Sequence, residues 1–177
     1  MKTIKLTLPI LSIILLSSFT VMQVTNWKVT NDYSIKFSGT DAQGVFQKFT
    51  GDIHFDESDL TASKCVLSID VNSINTGNGM KNKHAVSDKW FDAENYPVIE
   101  FESTEFSKTD AGYMAKGTLK MHGIVRKVEI PFTFENNVFS SQFSVNRLDY
   151  EVGTMKGSSK KVSNEIKLDI SIPVTEG

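Results

Sequence analysis

Three histidines, one cysteine and a scatter of carboxylates are the residues of this chain that could do chemistry. His54, His84 and His122 lie far apart, and no two of them are spaced His-x-x-x-His. A metal site needs three or four converging ligands, so this spacing argues against one and no metal ligand is assigned. Cys65 stands in an alternating apolar stretch, where a thiol behaves as a small inert hydrophobe rather than a nucleophile. Asp70, Asp92 and Asp149 form no evident acid–base pair. Arg147 and Asp149 flank Leu148, and a structural ion pair is the plain reading of that spacing. His84 and Asp88 are four residues apart and would meet on a helix. Their plain role is a hydrogen bond steadying the segment; their sharper role is a polar gate at the mouth of a cavity. No residue is assigned a catalytic role.

The elements that would position these residues follow from a period of two. Eight stretches alternate apolar and polar. Their inward sets are Tyr33, Ile35 and Phe37; Phe49, Gly51, Ile53 and Phe55; Cys65, Leu67, Ile69 and Val71; and Ile99 with Phe101. The second half of the chain continues with Gly117, Leu119 and Met121; Val128, Ile130, Phe132 and Phe134; Phe139, Ser141, Phe143 and Val145; and Ile166, Leu168, Ile170 and Ile172. Turn signals separate them: Asp56 to Asp59, Asp110 to Gly112, His122-Gly123 and Asn136-Asn137. One-sided strands pair antiparallel with one wet face. Eight of them make a sandwich or a closed barrel, and closure removes the hazardous edges. The expected fold is all-β, an eight-stranded antiparallel lipocalin-like β-barrel. A short helical insert, Asn78 to Asn95, joins the third strand to the fourth and covers one end. Trp90, Phe91 and Tyr96-Pro97 plug or frame that end, and residues 153–161 form a solvated loop before the last strand.

The ends of the chain add a compartment. Lys2 and Lys5 precede an apolar run from Leu6 to Leu16, followed by small and polar residues. This is the layout of a signal peptide, assigned to residues 1–22 with cleavage between Ser18 and Asn26. The run falls short of the ~20 residues of a membrane span. The expected product is one domain, residues 26–175, periplasmic or secreted. It is not a lipoprotein, since no cysteine ends the leader, and it makes no stable membrane insertion. With Lys2 and Lys5 gone, the formal charge moves from −2 to −4, which argues against a nucleic-acid partner. One cysteine allows no internal disulfide. Oligomeric state stays open, a homodimer included.

No inward strand position carries a charge, and Phe occurs 12 times. Either these rings fill the barrel or they line an apolar pocket; the pattern alone leaves both open. The ordered motifs Phe46-x-x-Phe-x-Gly51-x-Ile-x-Phe-Asp56, Ser68-Ile-Asp-x-x-Ser-Ile-x-Thr-Gly77, His84-x-x-Ser-Asp-x-Trp-Phe-Asp92, Tyr96-Pro-x-Ile-x-Phe-x-Ser103 and Gly117-x-Leu-x-x-His-Gly123 strongly resemble the YceI-like family. The resemblance implies a barrel that holds a polyisoprenoid chain, such as an isoprenoid quinone tail, in the bacterial periplasm. No other cofactor is implied. The implied ligand contacts are Phe37, Phe49, Ile53, Phe55, Leu67, Ile69, Val71, Trp90, Phe91, Phe101, Leu119, Met121, Ile130, Phe132, Phe134, Phe143, Leu168 and Ile170, with His84 and Asp88 as the gate. There is one departure: many relatives carry a histidine in the first long strand, and the stretch Ser34 to Gly44 has none. A barrel enzyme acting on an apolar substrate at the mouth and a ligand-free structural domain are the alternative readings.

Overall fold

Period-two alternation becomes a closed antiparallel barrel in the computed structural model of the protein, which describes residues 25–155 and 161–177. The strands are β1 (Asn26–Val29), β2 (Ser34–Gly39), β3 (Ala42–Phe46), β4 (Phe49–His54), β5 (Lys64–Asp70), β6 (Ile74–Asn75), β7 (Val98–Thr109), β8 (Gly112–Met121), β9 (Ile124–Glu135), β10 (Val138–Asn146) and β11 (Glu165–Glu176). One helix, α1 (Gly79–Val86), lies between β6 and β7. The sheet runs β1-β4-β5-β7-β8-β9-β10-β11, and β1 pairs with β11 to close the ring. All of these pairs are antiparallel.

The eleven strands of the described residues occupy eight wall positions because three positions are broken in two. β1 and β2 both lie along β11, at residues 174–176 and 167–171. β4 pairs with β1, and β3 with β2. β5 continues into β6 after a single 3₁₀ turn, Val71–Ser73, and β6 pairs with β3. Alternation did not reveal β1, β3 or β6, since each is short and interrupted. Asp70 causes the third break: its side chain accepts the N–H of Asn72 at 2.9 Å and caps the turn. Ser73 Oγ accepts the N–H of Gln47 and of Lys48, which stitches the break in β3/β4 to the break in β5/β6.

Two hairpins are set by residues that tolerate positive φ. Asn136 (51°) and Asn137 (60°) join β9 to β10, and His122 (51°) and Gly123 (77°) join β8 to β9. Both central residues with positive φ make a type I′ turn, the form whose twist matches paired strands. β7 carries a bulge between Ser103 and Glu105. The extra residue reverses the alternation, so Phe106 points inward with Ile99 and Phe101.

The packed core sits at one end. Phe55 is 1% exposed, and its ring meets those of Phe106, Tyr113, Phe132, Phe134 and Phe139 at centroid distances of 5.2–5.8 Å. Trp27 on β1 packs edge-on against Phe134 and Phe139, and its Nε1–H donates to the Phe55 carbonyl at 2.9 Å. Among the described residues no helix is long and apolar enough to cross a membrane. The assigned leader lies outside the described residues, as do residues 156–160 of the expected loop. Phe55→Ala should cost about 3–5 kcal/mol, the range for truncating a buried ring, read as a shift in the urea midpoint at unchanged m-value.

Candidate functional site

Above the aromatic plug the barrel is hollow. A cavity of about 930 Å³ runs up from Phe55 to the end covered by α1. That is about six times a cavity that holds one benzene, so of the two readings of the phenylalanines, the lined pocket is the one adopted. Phe37, Phe49, Ile53, Phe55, Leu67, Ile69, Phe101, Leu119 and Met121 all line it. Ile130, Phe132, Phe143, Leu168 and Ile170 complete the wall, and Trp90 and Phe91 border it from the insert.

Two of the expected contacts lie elsewhere. Val71 is buried at 1% exposure but belongs to the 3₁₀ turn, where strand alternation has ended. Phe134 is spent in the plug, stacked on Phe139 at 4.3 Å. Tyr96 likewise stands outside the cavity, with its ring against His122 at 5.0 Å.

Several lining residues escaped the alternation. Phe46 lies on the undetected β3 and meets Phe37 and Phe91. Gly44 makes room for Phe37, since a Cβ there would lie 2.8 Å from its ring. Ile74 comes from β6, and Phe106 is brought in by the bulge. The Ser103-Thr-Glu105 interruption of the alternating pattern was the one sequence signal for that reversal.

Most of the polar groups gather at the α1 end, where Asp41, Gln43, Thr76, Lys81, His84, Ser87, Asp88, Lys89 and Arg147 border the cavity; Ser140 and Ser141 border it from β10. Asn78 caps α1 by accepting the N–H groups of Met80 and Lys81. Asn82 accepts both the N–H and the hydroxyl of Thr76, which ties the helix to the end of β6. His84 and Asp88 therefore both reach the mouth, but not as a helical pair. The helix ends at Val86, with Ser87 as its C-cap, so Asp88 lies beyond it. No hydrogen bond joins the two among the described residues.

Arg147 departs from its expected ion pair. It is 8% exposed and makes five hydrogen bonds, none to a carboxylate. Its Nε donates to Ser163 O at 3.0 Å; Nη1 to Val152 O at 2.6 Å and Gly153 O at 3.3 Å; Nη2 to Val162 O at 3.2 Å and Asn164 Oδ1 at 3.3 Å. The guanidinium also lies 5.3 Å from the centroid of the Trp90 ring, a cation–π contact. Gly153 has φ of +70°, and a Cβ there would strike Trp90 at 2.5 Å. Asp149 instead offers its backbone carbonyl to Arg126 Nε at 3.2 Å. Arg147 thus ties residues 152–153 to residues 162–164 and holds Trp90 over the mouth. Burial lowers its pKa from the ordinary arginine value.

The remaining candidates hold no reacting constellation. His54 lies 3.2 Å from Asp52 Oδ1 on the outer face. His122 sits at its turn, with Nδ1 3.0 Å from Tyr150 O. Cys65 is buried, and burial pushes its thiol up to about 11 despite the opposing contact with Ser103. No group of three or more His, Cys, Asp or Glu side chains among the described residues could hold a metal ion.

A closed antiparallel barrel around one deep apolar cavity defines a lipocalin-like hollow barrel. More particularly, the chain belongs to the YceI-like domain family, whose match spans residues 21–174. It is 28% identical over 139 residues to a UPF0312 protein of Yersinia enterocolitica, covering 73% of this chain and 71% of that one. Among solved structures it is similar to Burkholderia cenocepacia BcnA (TM-score 0.75, 23% identity, 81% of this chain and 96% of that one). It is also similar to a polyisoprenoid binding domain from Saccharophagus degradans (TM-score 0.64, 18% identity, 87% and 99%).

Two outcomes check the site. Arg147→Met keeps much of the volume but strips five acceptors of their donor; a loss of about 3 kcal/mol in denaturant unfolding is expected. Only the thiolate alkylates, and the raised pKa keeps Cys65 protonated. The native protein should therefore resist iodoacetamide even at about pH 9 and react promptly once unfolded in guanidinium.

Proposed function

We propose that the protein binds one apolar lipid chain of the polyisoprenoid class inside the barrel and carries or stores it, in the periplasm or outside the cell. The observation that carries this is the cavity: about 930 Å³, walled mostly by apolar side chains, with its charged groups confined to one end. Each methylene moved from water into such a wall contributes ~0.8 kcal/mol. Two or three five-carbon units thus offset much of the roughly 4–15 kcal/mol that association costs, without a charged anchor deep inside. The polyisoprenoid binding described for the Saccharophagus degradans domain supports the ligand class. The lysine-flanked apolar leader at Lys2 to Leu16 supports export.

On this reading the cavity-lining side chains are the ligand contacts, and the polar mouth, His84 and Asp88 included, meets the headgroup. Organic extraction of protein purified from its native host, followed by mass spectrometry, should recover an isoprenoid near one equivalent. Added geranylgeraniol should raise the melting temperature of delipidated protein. Leu168→Trp, which pushes a larger side chain into the cavity, should reduce that rise while the protein stays folded by circular dichroism. Protein that is repeatedly empty, with a melting temperature indifferent to isoprenoids, would overturn the assignment.

A further inference from the structure

The barrel wall has an open seam between β9 and β10. These strands have 12 and 9 residues, yet only three pairs join them: Val138 with Glu135, Phe139 with Phe134 and Ser140 with Thr133. On their other edges, β9 makes nine pairs with β8 and β10 makes nine with β11. From Ser141 to Asn146 no ladder bond reaches β9 among the described residues, a length of about 20 Å at ~3.3 Å per residue.

The sequence accounts for where the ladder stops. Counting from the two-residue turn at Asn136-Asn137, hydrogen-bonded pairs alternate with non-bonded ones. Glu135 with Val138 is a bonded pair, and Thr133 with Ser140 is the next. The third would join Pro131 to Gln142, and proline has no N–H to give. The Ser141 hydroxyl donates instead to the Pro131 carbonyl at 2.6 Å, occupying the acceptor of the missing rung. Beyond that point the strands part. They are held again at the top by Arg126 Nε donating to Asp149 O.

The cavity reaches this seam from inside. Ile130 and Phe132 on one edge and Phe143 and Val145 on the other all line it. Ser140 alternates outward and is exposed, yet it also borders the cavity, so the void breaks through the wall there. An unpaired strand edge usually invites another strand, but Lys127 and Glu129 stand exposed along this one, and such charges disfavour strand addition. The mouth under α1 is fringed by Asp41, Lys81, His84 and Asp88, which an apolar chain would have to desolvate in passing.

We infer that the β9–β10 seam is a lateral portal through which an apolar chain slides into the barrel, tail and all, without threading the polar mouth. This rests on the lipid-binding reading and adds the route to it. Two measurements test it. The first needs no ligand. By the same alternation, the amides of Lys127, Glu129, Gln142 and Ser144 face the seam, while those of Val128 and Ile130 pair with β8. Hydrogen exchange followed by NMR should show the seam-facing amides exchanging roughly a hundredfold faster than Val128 and Ile130; equal protection would mean a zipped wall and would sink the portal. The second closes the seam with the Glu129→Cys/Ser144→Cys pair, whose side chains face solvent, oxidised to a disulfide or joined by a short bis-thiol linker. Stopped-flow tryptophan fluorescence with geranylgeraniol should show both association and dissociation slowed about tenfold or more by the bridge, at a Kd changed less than about twofold, with recovery on cleaving it. Unchanged rates would place the route at the mouth and overturn the inference. Loss of geranylgeraniol binding in the unbridged protein would instead refute the ligand class, and the exchange pattern would still decide whether the wall is open.

Discussion

The Phe55 plug is the constraint on which the rest depends. Five rings surround that of Phe55, and Trp27 closes over them from β1. Each buried aromatic removes some 150–250 Å² from water, and each edge-on pair adds about 0.5–1.5 kcal/mol. Concentrating the core at one end is what permits a void at the other. The scale of that void shows why it must be so. At about 24 cal/mol per Å³, leaving 930 Å³ dry and empty would cost about 20 kcal/mol, more than the 5–15 kcal/mol that keeps a domain folded. The folded protein therefore keeps the space filled, by water admitted from outside or by an apolar occupant. The occupant that also removes the walls from water is the more stabilising of the two.

The polar end obeys a complementary rule. Charges that border the cavity stay where solvent can reach them, with one exception. Arg147 is buried without a counter-ion, and it is tolerated because all five of its N–H donors meet carbonyl oxygens. A buried donor left without a partner costs its full desolvation penalty, and each of these donors has one. Its bonds hold Val152 and Gly153 against Val162, Ser163 and Asn164, so one side chain joins two stretches of the chain and sets the position of Trp90. The mouth is thus built from backbone acceptors around a fixed cation rather than from an acid–base pair.

Much of this was legible in the sequence. Period two gave the closed barrel and most of its cavity wall, because strand side chains alternate strictly wherever the ladder is regular. It failed where the ladder is irregular, and each failure has a local cause. Phe106 turned inward because of one extra residue at Ser103–Glu105. Val71 left the wall because Asp70 caps a 3₁₀ turn. β1, β3 and β6 stayed hidden since segments of two to five residues carry too little alternation to register. His84 and Asp88 share the mouth, but a spacing of four implies a contact only while the helix lasts, and it stops at Val86. Arg147 was misread because carbonyl acceptors leave no trace in side-chain sequence.

Pro131 shows the limit in another way. In the linear pattern it is an ordinary outward position of a strand, alternating with Ile130 and Phe132. Only the pairing register reveals that its missing N–H faces β10 rather than β8 or solvent. Proline is avoided inside sheets because it removes a rung, and a barrel wall has no edge on which to hide it. Its presence here therefore marks a place where the wall acts as an edge. The aromatic plug tolerates that break because it holds the lower ends of β9 and β10 through Phe132, Phe134 and Phe139, independently of the ladder above. Dense packing below and a missing donor above are then two halves of one arrangement: the first keeps the barrel together while the second leaves its side unlaced.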